Sequence, residues 1–211
     1  MDNITEKLFL YVVITLSAVV HEYSHAFIGN ELGDDTAKRI GRLSLNPLRH
    51  IDPIGTVLVP LLLLFTSGTF IGWAKPVPYN PMNLKGRKDE LKIALAGPAS
   101  NLAISVLVSG LFYLATLFLG GSANFITIGP FVALIIYVNI SLALFNLLPV
   151  PPLDGSKILS FILPHNLARR VEGMGFLGLI IALWVGMMVV PPIASVLFYI
   201  ITGFGHLPLA G

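Results

Sequence analysis

The 211 residues include no cysteine, which excludes disulfides and any thiolate metal site. A bound metal would have to be held by histidine or carboxylate. Charge is also scarce: Asp, Glu, Lys and Arg make up 11% of the chain, where soluble domains carry roughly 25%. A water-soluble globule is thereby excluded. The net charge is only +2, and the basic residues sit in short loops between apolar runs, so nucleic acid is not an expected partner. The first apolar run follows Asp2 and Glu6, with no basic n-region and no small-residue cleavage site before the first histidine. It reads as retained, not as a cleavable signal. No internal repeat and no low-complexity linker is present.

In place of charge there is hydrocarbon. Hydrophobic residues make up 55% of the chain and the mean hydropathy is +0.83. Long runs extend from Ile4 to about Gly29, from Leu91 to Leu119, from Phe125 to Leu148 and from Met174 to about Ile201. Each approaches or exceeds the ~20 residues that cross a bilayer. The pair Pro191-Pro192 is expected to interrupt the last one. A shorter run, Ile54 to Phe65, contains Pro60 and leads into Ser67-Gly68-Thr69. After it, "GWAKPVPYNPMN" has prolines too frequent for a helix. These features predict one membrane-embedded domain over 1–211. The fold class is an all-α polytopic membrane protein with about four full transmembrane helices, plus a re-entrant segment that includes a short β-hairpin.

Twelve of the thirteen Lys and Arg residues fall at 38–49, 75–92 and 157–170, with Lys7 apart. If 54–74 crossed the membrane, the first two clusters would face opposite sides. If it dips in and returns, all twelve share one side, which the positive-inside rule makes cytoplasmic. The re-entrant arrangement, with both termini outside, is therefore expected; a full crossing is the alternative.

The first run carries His21-Glu22-Tyr23-Ser24-His25, an HExxH pentapeptide. Residues four apart on a helix share a face, so both imidazoles can reach one tetrahedral zinc. Glu22 then stands beside the metal to take a proton from its water. Charged groups in an apolar span cost on the order of 2–3 kcal/mol or more, which argues against a chance occurrence. A catalytic zinc takes a third protein ligand and keeps one position open. His50, His165 and His206 lie in loops or near the C-terminus and are poor candidates. Asp154, in "LLPVPPLDG" just past a span, is better placed; capping of the helix that starts near Ser156 is its competing role. Topology favours the ligand. His21 is about nine residues, roughly 14 Å, from the cytoplasmic end of its span, and the span before Asp154 descends to the same face.

Taken together, His21-Glu22-Tyr23-Ser24-His25 and Asn146-Leu147-Leu148-Pro149-Val150-Pro151-Pro152-Leu153-Asp154-Gly155 resemble the paired signature of the site-2 proteases, the intramembrane zinc metalloproteases. "GPASN" at Gly97 to Asn101 matches a third family element. "GRLSLNPLRHIDPIGT" and "GWAKPVPYNP" resemble the small bacterial and archaeal subgroup, without the PDZ or CBS domains of larger members. The resemblance implies one zinc per chain held by His21, His25 and Asp154, with Glu22 as general base. It also brings Asn146 near the metal, as a donor to the substrate or as an interhelical hydrogen bond. Asn101 fits close helix packing instead.

The implied function is an intramembrane zinc endopeptidase that cleaves transmembrane segments of single-span membrane-protein substrates. Its setting is the lipid bilayer of a prokaryotic cell membrane, with the active site toward the cytoplasm. Such a substrate must unwind to be cut, and 66–80 offers an extended edge for strand addition or is a plain closing loop. Arg49, His50 and Asp52 anchor the charged loop at the headgroups, in preference to lining a water entry. Two other classes are a metal transporter, which should show further facing polar residues and pseudo-repeats, and a noncatalytic adaptor, which intact Glu22 and Asp154 disfavour. Nothing in the sequence fixes an oligomeric state.

Overall fold

The computed structural model describes residues 4–66, 75–119 and 123–203. Eight α-helices are formed among them: α1 (Ile4–Glu31), α2 (Thr36–Arg39), α3 (Val59–Thr66), α4 (Arg87–Leu119), α5 (Ala123–Asn146), α6 (Gly155–Ile162), α7 (His165–Glu172) and α8 (Gly175–Thr202). Four stretches are long and apolar enough to cross a membrane: Ile4–Glu31, Arg87–Phe118, Thr127–Asn146 and Leu177–Thr202. The expected all-α polytopic membrane protein is therefore observed. No strand occurs among the described residues; the re-entrant segment 54–74, expected to include a β-hairpin, is helical over 54–66, and its residues 67–74 lie outside the described ones.

The chain divides into two compact units, Met1–Gly97 and Pro98–Gly211. In the first, α1 ends where Gly33 adopts φ 106°, a left-handed conformation that costs glycine little. The Asp52 carboxylate caps the helical stretch that starts at Pro53, accepting from the backbone N–H groups of Ile54 (3.0 Å) and Gly55 (2.6 Å). That stretch opens with a π-helical turn, Pro53–Leu58, and continues as α3. Its described length of roughly 20 Å is short of the ~30 Å hydrocarbon core. Tyr11 on α1 donates its hydroxyl to the Thr56 carbonyl at 3.1 Å, tying the π-helical turn to α1. Residues 75–80 then run without helix or strand, as their prolines dictate.

The second unit packs α5 on α8. Ala133, Ile136 and Ile140 of α5 meet Ala182, Val190, Ala194 and Phe198 of α8, all at most 8% exposed. The helical repeat places each set on one face, and the alanines let the backbones approach closely. Large residues on other faces, such as Leu111 at 67% and Phe118 at 82% exposure, are left for lipid. Two polar pairings inside link α4 to α5. Asn101 on α4 is fully buried and donates Nδ2 to Oδ1 of Asn139 on α5 at 2.9 Å. Ser105 Oγ reaches the Ile136 carbonyl at 3.1 Å.

The expected break at Pro191-Pro192 does not occur: α8 runs through both prolines. Each removes one backbone donor, but both are exposed, while Val190, Ala194 and Phe198 are held in the core. Packing outweighs the lost hydrogen bonds, as is common within membranes.

Candidate metal centre

The sequence predicts that His21 and His25 share one helical face, and in α1 they do. Their ring centroids are 4.7 Å apart at an interplanar angle of 82°. His21 is 6% exposed; Glu22 and His25 are half-buried. His25 Nδ1 lies 2.6 Å from the carbonyl oxygen of Ile93 in α4. A carbonyl only accepts, so Nδ1 carries the proton and the lone pair sits on Nε2. This is the tautomer in which a metal-ligating histidine is usually held.

Gly97 lies opposite the two rings. A Cβ built on it would fall 2.4 Å from His25 Nε2 and 2.5 Å from His21 Nε2. Both Nε2 atoms therefore converge on a spot that only a residue without a side chain leaves open. Two imidazole nitrogens so aimed, in a buried setting and with one tautomer fixed, fit a divalent metal of the zinc type. Glu22 is oriented by a different neighbour: its Oε2 accepts from the backbone N–H of Val77 at 2.8 Å.

In the second unit Asp154 stands at the start of α6, preceded by a chain of tight turns. These are closed by Val150 N–H to the Leu148 carbonyl (2.8 Å) and Leu153 N–H to the Val150 carbonyl (3.0 Å). Its side chain makes no capping hydrogen bond to α6, so the competing capping role expected of it is not realised. Gly155 explains the DG pair. A Cβ there would lie 2.2 Å from the Leu147 carbonyl oxygen and 2.4 Å from that of Leu148. Asn146, the last residue of α5, donates Nδ2 to the Leu142 carbonyl at 3.0 Å, one turn back on its own helix.

Val77 N–H, the Ile93 carbonyl and Asn139 were not singled out from the sequence, and Gly97 was named only as the start of "GPASN". Two left a trace. In "KPVPY" the flanking prolines leave Val77 the one amide donor of the three central residues, and Asn139 is a polar residue within a span. Of the charged-loop residues, Asp52 serves as a helix cap, and His50 is 1% exposed with Nε2 against the Ser44 carbonyl at 2.7 Å. Asp52 spends its carboxylate on the stretch that leads into α3, and His50 is buried in its loop.

Comparison with known proteins gives a family. Residues 108–186 match Peptidase family M50, a stretch that includes Asp154. A Bacillus subtilis protein named "Putative zinc metalloprotease YwhC" is 40% identical over 177 residues, 79% of this chain and 77% of the relative. The chain belongs to peptidase family M50. This is the site-2 protease family that the motifs resemble. A Mycolicibacterium smegmatis protein named "Putative zinc metalloprotease Rip2" is 29% identical over 161 residues, 71% of this chain and 54% of its own length. MJ0611 of Methanocaldococcus jannaschii, again so described, is 36% identical over 107 residues, 51% of each chain. The chain thus spans only about half the length of these last two relatives. No solved structure matches it. Membership in M50 and the names of these relatives support a metalloprotease, here one built on membrane-spanning helices.

Proposed function

We propose that this M50 chain is an intramembrane zinc endopeptidase that cleaves transmembrane segments of single-span membrane proteins. In this reading His21, His25 and Asp154 hold one zinc and Glu22 is the general base. The observation that carries the reading is the convergence of the two Nε2 atoms on the space kept open by Gly97, with Glu22 next in sequence to His21.

When bound, zinc supplies an acidified water, with a pKa near ~7, and a Lewis acid for the scissile carbonyl. The protein supplies the rest. Val77 N–H holds Oε2 of Glu22, so Oε1 is the oxygen that takes the water's proton and returns it to the leaving amine. The Ile93 carbonyl keeps Nε2 of His25 deprotonated. The clustering of basic residues at 38–49, 75–92 and 157–170 supports a cytoplasm-facing site in a prokaryotic cell membrane.

Glu22→Gln is the test. It should retain zinc and lose at least about 100-fold in turnover of a single-span substrate. Undiminished cleavage would sink the role of Glu22, and metal flux across vesicles without cleavage would favour a transporter.

A further inference from the structure

We propose that Asp34 is a positioning residue for hydrolysis: it holds residues 75–80 against the end of α1, so that Val77 N–H fixes Glu22. The inference rests on Glu22 being the general base.

The sequence of the strap sets the geometry. In Lys75-Pro76-Val77-Pro78 two amide donors are deleted by proline, leaving those of Lys75 and Val77. Both turn inward, Lys75 N–H to the His50 carbonyl at 3.0 Å and Val77 N–H to Glu22 Oε2 at 2.8 Å. A carboxylate with one oxygen tied to a backbone amide keeps the other in a defined direction, which a base acting on one water requires.

A small pocket that opens to solvent lies behind the strap, lined by His25, Gly29, Asp34, Ala37, Val77 and Ile93 among others. Hydrogen bonds hold the strap over it. One is the Arg42 Nη1 bond to the Pro76 carbonyl at 2.7 Å, at an exposed position where water competes for both partners. Asp34 is only 2% exposed. Its Oδ2 accepts from Asn80 N–H at 2.8 Å, and its Oδ1 accepts from Asn83 Nδ2 at 2.8 Å and from the Thr36 hydroxyl. Breaking a buried set of this kind leaves desolvated groups unmet and costs more than breaking an exposed contact. Asn80 is three residues from Val77, so a shift of the strap at Asp34 carries directly to the amide on Glu22.

The test uses the full chain, zinc-loaded, in lipid nanodiscs, with Asp34→Asn, Val77→Pro and the double variant. Asp34→Asn keeps the size but turns an acceptor into a donor; Val77→Pro removes the amide hydrogen and puts a ring carbon in its place, in a strap already rich in proline. Expected for each single variant is a kcat lowered on the order of 10- to 100-fold, with KM and zinc per chain unchanged. The double variant should lose no more than Val77→Pro alone, because both act through one contact. Amide exchange at Val77 should speed up in Asp34→Asn. Unchanged exchange, an intact kcat in Val77→Pro, or losses that multiply in the double variant would each overturn the proposal. If Val77→Pro does not fold, exchange and kcat in Asp34→Asn decide. Glu22→Gln separates the two levels: if it stays active, the general-base reading itself fails. If it is inactive while Val77→Pro keeps full kcat, only this inference fails.

Discussion

A Cβ added to Gly97 would stand 2.4 Å from Nε2 of His25. A contact that short forces something to move, and the ring can do so only at the cost of its Nδ1 bond to the Ile93 carbonyl at 2.6 Å. The same Cβ would press on His21 Nε2 at 2.5 Å. Gly97→Ala is therefore expected to turn both nitrogens away from a shared metal. Zinc affinity should fall on the order of 10- to 100-fold, as when a ligand's supporting contact is lost. Competition with a graded chelator measures this without any substrate. Wild-type affinity in that variant would disprove the convergence of the two rings on one ion.

The Asn101–Asn139 pair makes a separate prediction about stability. Both side chains are fully buried, and Asn139 also donates Nδ2 to the Ile135 carbonyl at 2.9 Å. Removing Asn101 takes away the donor to Oδ1 of Asn139 in an apolar interior. Asn101→Ala should cost about 1–2 kcal/mol in reversible unfolding from detergent. Replacing both residues by leucine should recover part of that loss, since no polar group is then left unmet. Equal losses in the single and double variants would mean that shape, not the hydrogen bond, is what α4 and α5 need there.

These residues also show what the sequence made legible. The helices were readable because lipid imposes a length and an apolar composition on each span, and four such spans are found. His21, Glu22 and His25 were readable because their chemistry is local to one helix. Val77 and Ile93 act through the backbone, and a main-chain N–H or carbonyl leaves no mark in residue identity. Gly97 matters for the side chain it lacks, and "GPASN" alone says only that something packs closely. The prolines at 191 and 192 misled in the opposite direction: their cost was judged locally, whereas Ala194 and Phe198, both fully buried, hold α8 in the core.

Gly155 and Gly110 form a matched pair of tests. At Gly155 the obstacle is backbone, the Leu147 and Leu148 carbonyls at 2.2 and 2.4 Å from an added Cβ, and those turns carry Asp154. At Gly110, within α4, an added Cβ meets nothing within 4 Å. Gly155→Ala should therefore destabilise by about 1–3 kcal/mol or more and lower bound zinc. Gly110→Ala should stabilise by about 0.4–1 kcal/mol through the unfolded chain. Thermal unfolding of the two variants under one condition checks both signs. Equal effects would show that the turn before Asp154 tolerates a side chain.

Asp34 ties the strap to pH. Burial raises its affinity for a proton, but the hydrogen bonds from Thr36, Asn80 and Asn83 together outweigh burial, and its pKa lies below the ordinary 3.8. A carboxylate with a depressed folded pKa stabilises fully above its unfolded value, and that stability is lost as pH falls through the folded pKa. The unfolding free energy of wild type should thus exceed that of Asp34→Asn by a constant amount above about pH 5. The gap should close only below 3.8, when Asp34 itself becomes neutral and can no longer accept from every donor around it. Denaturation of both proteins across that range checks the sign. A gap that instead closed on going to alkaline pH would mean that Asp34 is not the ionised anchor of the strap, and would separate its hydrogen bonds from its charge.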